Sequence, residues 1–244
     1  MEALSAFDLV QIWEWGQHKH PVDRALGLLL LAQPELQPEQ IAALSVGQRN
    51  TRLLALRQQT FGATLNGYAE CPHCKEKLEF TVAVDAIRQP EPAAQEFDLT
   101  VADIDLHCRL PNSVDLAAIV GYSDVQAARC LLVERCIVQA HQAGQPSAVP
   151  TLPDWVIPEL ASAVIAHDPQ AEIRFALECP ACGQEWSALF DIVSFFWTEL
   201  GDRVQRLLYD VHLLAQAYGW CEADILNMSA ARRQMYLEWV NGQS

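Results

Sequence analysis

Two short cysteine motifs, far apart in the chain, repeat one another. Residues 70–74 read Glu-Cys-Pro-His-Cys, and residues 178–182 read Glu-Cys-Pro-Ala-Cys. A Cys-x-x-Cys turn presents two thiolates to one ion, and two such turns supply the four soft ligands of a tetrahedral zinc site. We therefore predict one Zn²⁺ bound by the four cysteines of these motifs: Cys71, Cys74, Cys179 and Cys182.

The two motifs are unusually far apart for a zinc ribbon. A compact ribbon places about 15 to 20 residues between its cysteine pairs, whereas 104 residues lie between Cys74 and Cys179. If one ion joins both motifs, everything between them is an insertion, and the ion ties the front of the chain to the back. Because four cysteines leave no open position for water or substrate, the predicted role of the zinc is structural.

Two other interpretations of these cysteines remain open. Either pair alone could be a redox motif, although no thioredoxin-like βαβ unit surrounds it. The two pairs could also be unrelated thiols that share a pattern. His73 lies within the first motif, but Ala181 occupies the matching position of the second, which favours a solvated turn histidine over a metal ligand.

The composition describes a globular, acidic protein. Hydrophobic residues make up 51% of the 244 residues and charged residues 19%, which is ample for a buried core. The net charge of −15 and the absence of a basic stripe argue against nucleic-acid binding. The longest apolar run, residues 25–32, is too short for membrane insertion. No secretion signal is visible, so we expect a cytoplasmic chain with reduced cysteines.

No sequence motif indicates an enzyme. Neither a glycine-rich nucleotide cradle nor a G-x-S-x-G or H-E-x-x-H motif occurs. A group of carboxylates between residues 91 and 105 is typical of a solvated surface rather than of a catalytic pair. We therefore predict a protein without catalytic residues.

Hydrophobic patterning predicts an α+β fold that is mainly helical. Four helices are expected in the first 60 residues, strands over 78–84 and 173–177, and a strand pair over 97–110. Asn112 is a predicted helix N-cap, and Ser123-Asp124 is expected to open a longer helix that runs to about Gln142. A proline-rich loop is expected over 145–154. Further helices are expected over 155–167 and from 190 to the end, with a break at Gly219.

These elements suggest three regions within one interlocked domain. Residues 1–66 form an N-terminal helical region, and residues 67–189 form a split zinc-ribbon-like β region with a helical insertion at about 112–168. Residues 190–244 form a long C-terminal helix followed by a short helical hook. In this arrangement the small β element is divided by the insertion.

The predicted C-terminal helix carries a heptad stripe of apolar residues. The spacings alternate between four and three residues along Val193, Trp197, Leu200, Val204, Leu207, Val211, Leu214 and Tyr218. Such a stripe packs on another helix, which could belong to this chain or to a partner. The region is also rich in large aromatic side chains, which are enriched at interfaces.

Several segments together resemble a known family. The main segments are residues 207–229 and 232–238. The resemblance extends to residues 20–25, to both cysteine motifs, and to Arg109-Leu110-Pro111 with the following helix. With these segments the chain resembles the baseplate hub assembly chaperones of T-even-type phages, whose relatives occur in contractile phage tails and tail-like contractile injection systems. The similarity spans most of the chain. Cys221 departs from the pattern, since relatives often have serine or another small polar residue there.

The resemblance implies a non-enzymatic chaperone that holds hub or spike-complex proteins until they assemble, in the cytoplasm of the producing bacterium or associated with the particle. From it we predict a partner-contact set on the C-terminal helix and hook: Trp197, Leu200, Val204, Leu207, Val211, Tyr218, Trp220 and Ile225. A permanent structural baseplate subunit is the first alternative. A zinc-ribbon protein adaptor in transcription and a thiol oxidoreductase are alternatives of other classes.

Overall fold

The N-terminal part of the chain is helical, as the sequence predicts. The computed structural model describes residues 1–92, 94–142, 145–146, 153 and 155–242. Its first helices are α1 (Ala6–Gly16), α2 (Pro21–Ala32), α3 (Pro38–Ala42) and α4 (Val46–Phe61). Local signals define where they begin: Ser5 and Ser45 form capping boxes, and Pro21 occupies the first turn of α2 behind an N-cap at His20.

Two β-hairpins carry the cysteine motifs at their turns. The first hairpin pairs β1 (Thr64–Glu70) with β2 (Lys77–Ala83), and the second pairs β7 (Ile173–Glu178) with β8 (Glu185–Phe190). Strands β2 and β7 confirm the predicted strands, whereas β1 and β8 were not predicted. β1 contains Asn66 and Gly67, which are unfavourable in strands, so the sequence pattern is weak there.

The residues between the hairpins form a second sheet with its own helices. After α5 (Val84–Ile87), the sheet has the order β3 (Glu96–Val101), β4 (Ile104–Arg109), β5 (Ile137–Gln142) and β6 (Gln145–Pro146). The helices are α6 (Ser113–Ala118), α7 (Val125–Cys136) and α8 (Val156–His167). The strand pair β3–β4 and the N-cap Asn112 confirm the predictions, and the helix expected to open at Ser123-Asp124 has its N-cap at Asp124. The predicted loop over 145–154 lies largely outside the described residues.

The helix predicted to continue to Gln142 is wrong beyond Cys136. Ile137 adopts extended backbone angles and pairs with Cys108 of β4. Ile137 and Ala140 are buried in the core of this middle region, where they pack with side chains of β3, β4 and α8. Burial against the sheet therefore outweighs the helical pattern of the preceding residues.

The C-terminal part is the predicted long helix followed by a hook. Helix α9 (Ile192–Tyr218) ends at Gly219, which has a φ of 69° in the left-handed region. The chain then turns back through α10 (Glu222–Leu226) and α11 (Ala230–Asn241), and both helices pack on α9. Leu214, Ile225 and Leu237 form a small core between these three helices.

The main hydrophobic core lies between the N-terminal helices, α9 and the two hairpins. The helices α1, α2, α4 and α9 contribute most of its buried side chains, and the hairpins add Leu65, Ile173 and Phe175. Phe61 of α4 packs edge-on against Phe196 of α9, with ring centroids 5.7 Å apart. This core fixes both hairpins to one helical body.

A polar junction joins the N-terminus of α4 to the middle region. The Asp168 carboxylate is fully buried, and its Oδ2 accepts a hydrogen bond from the Gly47 backbone N–H at 2.8 Å. Asn50 donates to the Gln170 carbonyl, and the Val46 N–H donates to the Pro111 carbonyl. Residues distant in sequence thus satisfy backbone donors that the start of a helix leaves free.

We expect Gly47→Ala to destabilise the protein, because an added Cβ at position 47 would lie 1.7 Å from Asp168 Oδ1. The buried carboxylate would have to move and lose its bond to the helix N-terminus, at a cost of about 2–3 kcal/mol. A matched control is Gly201→Ala in the interior of α9, where the nearest atom to an added Cβ is Trp13 Nε1 at 3.6 Å. That change should stabilise the protein by about 0.5–1 kcal/mol. Urea denaturation of both variants tests the pair, and equal effects would contradict the explanation.

Candidate metal centre

The two cysteine motifs form the same turn. In the first, the Cys71 N–H donates to the Glu76 carbonyl at 2.9 Å and the Lys75 N–H donates to the Cys71 carbonyl at 3.0 Å. In the second, Cys179 donates to Gln184 at 2.9 Å and Gly183 donates to Cys179 at 2.8 Å. The sequence repeat therefore corresponds to a structural repeat, with one hairpin turn presenting each cysteine pair.

The residue after the second cysteine is left-handed in both turns, with φ of 65° at Lys75 and 70° at Gly183. Glycine adopts this conformation without strain, whereas a residue with a Cβ does so at a cost of about 1 kcal/mol. We expect Lys75→Gly to stabilise the protein by about 0.5–1 kcal/mol and Gly183→Ala to destabilise it by about 1 kcal/mol. Thermal unfolding of both variants tests this, and a stabilising Gly183→Ala would contradict it.

The four predicted cysteines lie together, although more than 100 residues separate the pairs. Their Sγ atoms all lie within 4.8 Å of one another; the Cys71–Cys182 distance is 3.8 Å and the Cys74–Cys179 distance is 3.5 Å. With Zn–S bonds of about 2.3 Å, a tetrahedral site requires S···S distances of about 3.8 Å. The cluster therefore has the dimensions of a tetrahedral site and could hold a metal ion.

The thiols of this cluster influence one another electrostatically. Burial by itself would raise the pKa of Cys71, but the backbone N–H groups of Cys74 and His73 outweigh it and lower that pKa to about 6. The Glu76 N–H favours a thiolate at Cys74, yet partial desolvation of its sulfur and the neighbouring thiols raise the pKa of Cys74 to about 12. The protein alone thus favours a thiolate at Cys71 and opposes one at Cys74. A divalent cation would remove this repulsion and release protons on binding.

Packing encloses one cysteine of each pair. Cys71 and Cys179 are fully buried, whereas Cys74 and Cys182 face solvent. Beyond the turns, Phe80 of the first hairpin packs edge-on against Phe175 of the second, with ring centroids 5.4 Å apart. His73 is exposed and lies outside the cluster, as expected for a turn residue.

The predicted partner-contact set divides into buried and accessible residues. Leu200, Val204, Leu207 and Ile225 are essentially inaccessible and pack within the chain's own cores. Intramolecular packing, the alternative for the heptad stripe, therefore accounts for these four, and they cannot contact a partner in this fold. Partner contact stays a prediction for the remaining residues: Trp197, Val211, Tyr218 and Trp220.

An aromatic cluster at the end of α9 was not predicted as a unit. Tyr218 stacks on Trp220 with ring centroids 4.5 Å apart, and Tyr236 of α11 packs edge-on against both. Tyr236 in turn contacts Trp239, which is 53% exposed. The turn at Gly219 and the return of α11 bring these rings together. The sequence signal was only the number of aromatic residues.

The fold and the site define a mixed α+β protein in which a four-cysteine cluster, suited to a metal ion, joins two hairpins. Comparison with protein-family models matches residues 35–197 to the T4 bacteriophage base plate protein family. The match covers more than half of the chain and includes both cysteine motifs, so the chain belongs to this family. Family membership supports a baseplate-related role and implies interaction with other baseplate proteins.

The other comparisons add no relative. Neither the search of curated proteins nor that of solved structures found a match. The family match ends before residues 207–238, which carry the main resemblance to hub assembly chaperones. Within the described part of the chain, no helix is both long and apolar enough to cross a bilayer.

Proposed function

We propose that this protein is a non-enzymatic assembly chaperone for the baseplate hub of a contractile phage tail or tail-like injection system, and that a structural Zn²⁺ stabilises it. The observation that carries the proposal is the family match over residues 35–197. The resemblance of residues 207–229 and 232–238 to hub assembly chaperones supports the specific role. We further propose that the protein acts in the cytoplasm of the producing bacterium.

The proposed zinc has a structural role because Cys71, Cys74, Cys179 and Cys182 would complete its coordination. No position would remain for water or substrate, so the ion would supply a cross-link rather than a reactive group. The cross-link would join the β1–β2 turn to the β7–β8 turn across the whole middle region. Both hairpins rest on α9 through the main core, so the ion would also hold α9 in place.

The alternative functions differ from the chaperone in properties that can be tested. A permanent structural subunit would share the fold and differ only in remaining in the particle. A transcription adaptor is disfavoured because the charge of −15 opposes contact with nucleic acid. A thiol oxidoreductase would need one cysteine pair free of metal, so protection of all four cysteines from alkylation would oppose it.

The test is a pull-down of the tagged protein from cells that produce the particle, with mass spectrometry of the eluate and of purified particles. A chaperone predicts hub or spike proteins in the eluate and absence of the chain from particles. Presence in particles at fixed stoichiometry would show a structural subunit instead. An eluate that contains only transcription or redox proteins would contradict both roles.

A matched pair of variants locates the contact. Tyr218→Ser removes a predicted contact residue that is 38% exposed, and Tyr209→Ser removes a tyrosine of α9 that is 62% exposed and outside the predicted set. We expect Tyr218→Ser to reduce recovery of hub proteins and Tyr209→Ser to leave it unchanged. Equal recovery of hub proteins by the two variants would show that Tyr218 is not part of the contact surface.

A further inference from the structure

A groove of about 500 Å³ runs between the two hairpins and the first half of α9. Four consecutive residues of β1, Asn66 to Ala69, and three consecutive residues of β8, Ala188 to Phe190, line it. Side chains alternate between the two faces of a strand, so consecutive residues can line one groove only if the strand presents its edge. The groove is therefore bordered by the edges of two strands.

These two strand edges have no strand partner. Each hairpin is a two-stranded sheet, and β1 and β8 are not hydrogen-bonded to one another or to any other strand besides their own hairpin partner among the described residues. An edge strand presents a row of unpaired N–H and C=O groups, which an extended chain can pair with. Natural proteins commonly cover such edges or place charged residues on them, whereas the edges of β1 and β8 here border an open groove.

The floor of the groove is aromatic. Phe80, Phe175, Phe190 and Phe195 line it, and successive ring centroids are 5.0–5.4 Å apart. Two apolar side chains on the bordering strands, Tyr68 and Leu189, are 77% and 64% exposed. An extended segment with apolar residues at every second position could place those side chains on the rings while its backbone pairs with a strand edge.

The charged residues that line the groove favour a positively charged occupant. In the part of the chain that the structure describes, the lining includes the carboxylates of Asp191, Glu199 and Asp202 but no lysine, arginine or histidine. Glu199 is bound by the buried Arg57, whereas Asp202 is exposed and forms no ion pair among the described residues. Together with the net charge of −15, this favours a cationic occupant.

We propose that this groove binds an extended segment of a partner protein that carries alternating apolar and basic residues, by strand addition to the edges of β1 and β8. The four lining residues of β1 span about 13 Å, which corresponds to a contact of about four residues. Some twenty residues of α9, about 30 Å, separate Thr198 at the groove from Tyr218. The groove is thus distinct from the aromatic cluster. The proposal holds equally for a chaperone and for a permanent subunit.

The probe is a library of random heptapeptides, selected on the full-length protein purified without chelator. We expect the enriched peptides to alternate apolar residues with lysine or arginine. An enriched peptide should slow backbone amide exchange of residues 66–69 and 188–190. Its analogue with N-methyl groups at alternate amides, which cannot donate hydrogen bonds, should bind at least roughly tenfold more weakly.

Two pairs of variants separate the groove from the rest of the surface. Thr198→Trp fills the groove from α9, and its control Gln216→Trp adds the same side chain to an exposed position near the other end of that helix. Asp202→Lys reverses a rim charge, and its control Glu222→Lys reverses an exposed charge outside the groove. We expect roughly tenfold weaker peptide binding for each groove variant and unchanged binding for each control.

Several results would overturn the proposal. These are the absence of enriched peptides, a selection for helical or acidic peptides, full binding by the N-methylated analogue, or protection of amides elsewhere. Concentration-dependent dimerisation that protects the same amides would instead identify a second copy of the chain as the occupant. A failure here leaves the hub pull-down unaffected, because that experiment reads out partner identity rather than the groove.

Discussion

Cys74→Ser and Cys179→Ser are each expected to leave the chain largely unfolded. Each variant would remove one ligand from the proposed zinc site, which joins two hairpins across 104 residues. Binding of a structural zinc can contribute on the order of 10 kcal/mol, comparable to the whole stability of a typical domain. Metal analysis and circular dichroism of protein purified without chelator test this, and a strong chelator added to the wild type should have the same effect.

The controls for this prediction come from cysteines outside the cluster. Cys130 is half-buried on α7 and Cys221 is exposed before α10, so Cys130→Ser and Cys221→Ser should retain zinc and fold. Wild-type protein without zinc that remains folded would contradict a structural metal. Loss of structure in all four variants would show general sensitivity to cysteine replacement rather than a metal site.

Asp115→Asn should cost about 2–3 kcal/mol of folding free energy, because it leaves the partly buried Arg109 and Arg135 without their counter-ion. The Asp115 side chain is fully buried and accepts hydrogen bonds from Arg109 at 2.6 and 2.8 Å and from Arg135 at 2.8 Å. It also accepts one from the Asn112 N–H at the start of α6. One carboxylate thus connects β4, α6 and α7. Urea denaturation at neutral pH measures the loss.

The stabilisation by Asp115 should depend on pH in a defined direction. Burial alone would raise its pKa, but the hydrogen bonds from Arg109 and Asn112 outweigh burial and hold the pKa below the usual value. A lowered pKa in the folded state gives a contribution that is complete above the unfolded value of about 4 and is lost as the pH falls through the folded value. The stability difference between wild type and Asp115→Asn should therefore shrink below about pH 4.

Asp103→Asn is the matched control, since Asp103 is exposed in the turn between β3 and β4 and its carboxylate accepts a hydrogen bond from Gln142. Its stability should match the wild type within about 0.5 kcal/mol. A loss at Asp103 as large as that at Asp115 would contradict the role assigned to burial. A difference between wild type and Asp115→Asn that stays constant down to pH 2 would contradict the lowered pKa.

Prediction from sequence worked best where short-range signals decide the structure. The capping residues Asn112 and Asp124 determine where helices begin, because their side chains satisfy the backbone N–H groups of the next turn. The two cysteine motifs likewise form the same turn, and in both the residue after the second cysteine is left-handed. These features depend on residues within a few positions of one another.

Prediction from sequence failed where packing between residues distant in sequence determines the structure. Residues 137–142 follow a helix without a glycine or proline to end it, yet they form β5 because β4 offers a pairing edge and a buried face. The weak strand β1 forms because β2 pairs along its whole length. In the same way, the heptad stripe of α9 does not reveal whether its partner is another molecule, and only the buried positions of Leu200, Val204 and Leu207 show that it is this chain.

The sequence by itself identified the four candidate metal ligands, the starts of several helices, the acidic charge and the family resemblance. Each of these features depends on residue types or on motifs of residues close together in the sequence. Only the tertiary structure decided that Cys71 and Cys74 lie beside Cys179 and Cys182, since 104 residues of chain must fold back to bring them together. It also decided which apolar side chains are buried and that the edges of β1 and β8 border one groove. Burial and edge pairing depend on neighbours distant in sequence, and local patterns do not encode them.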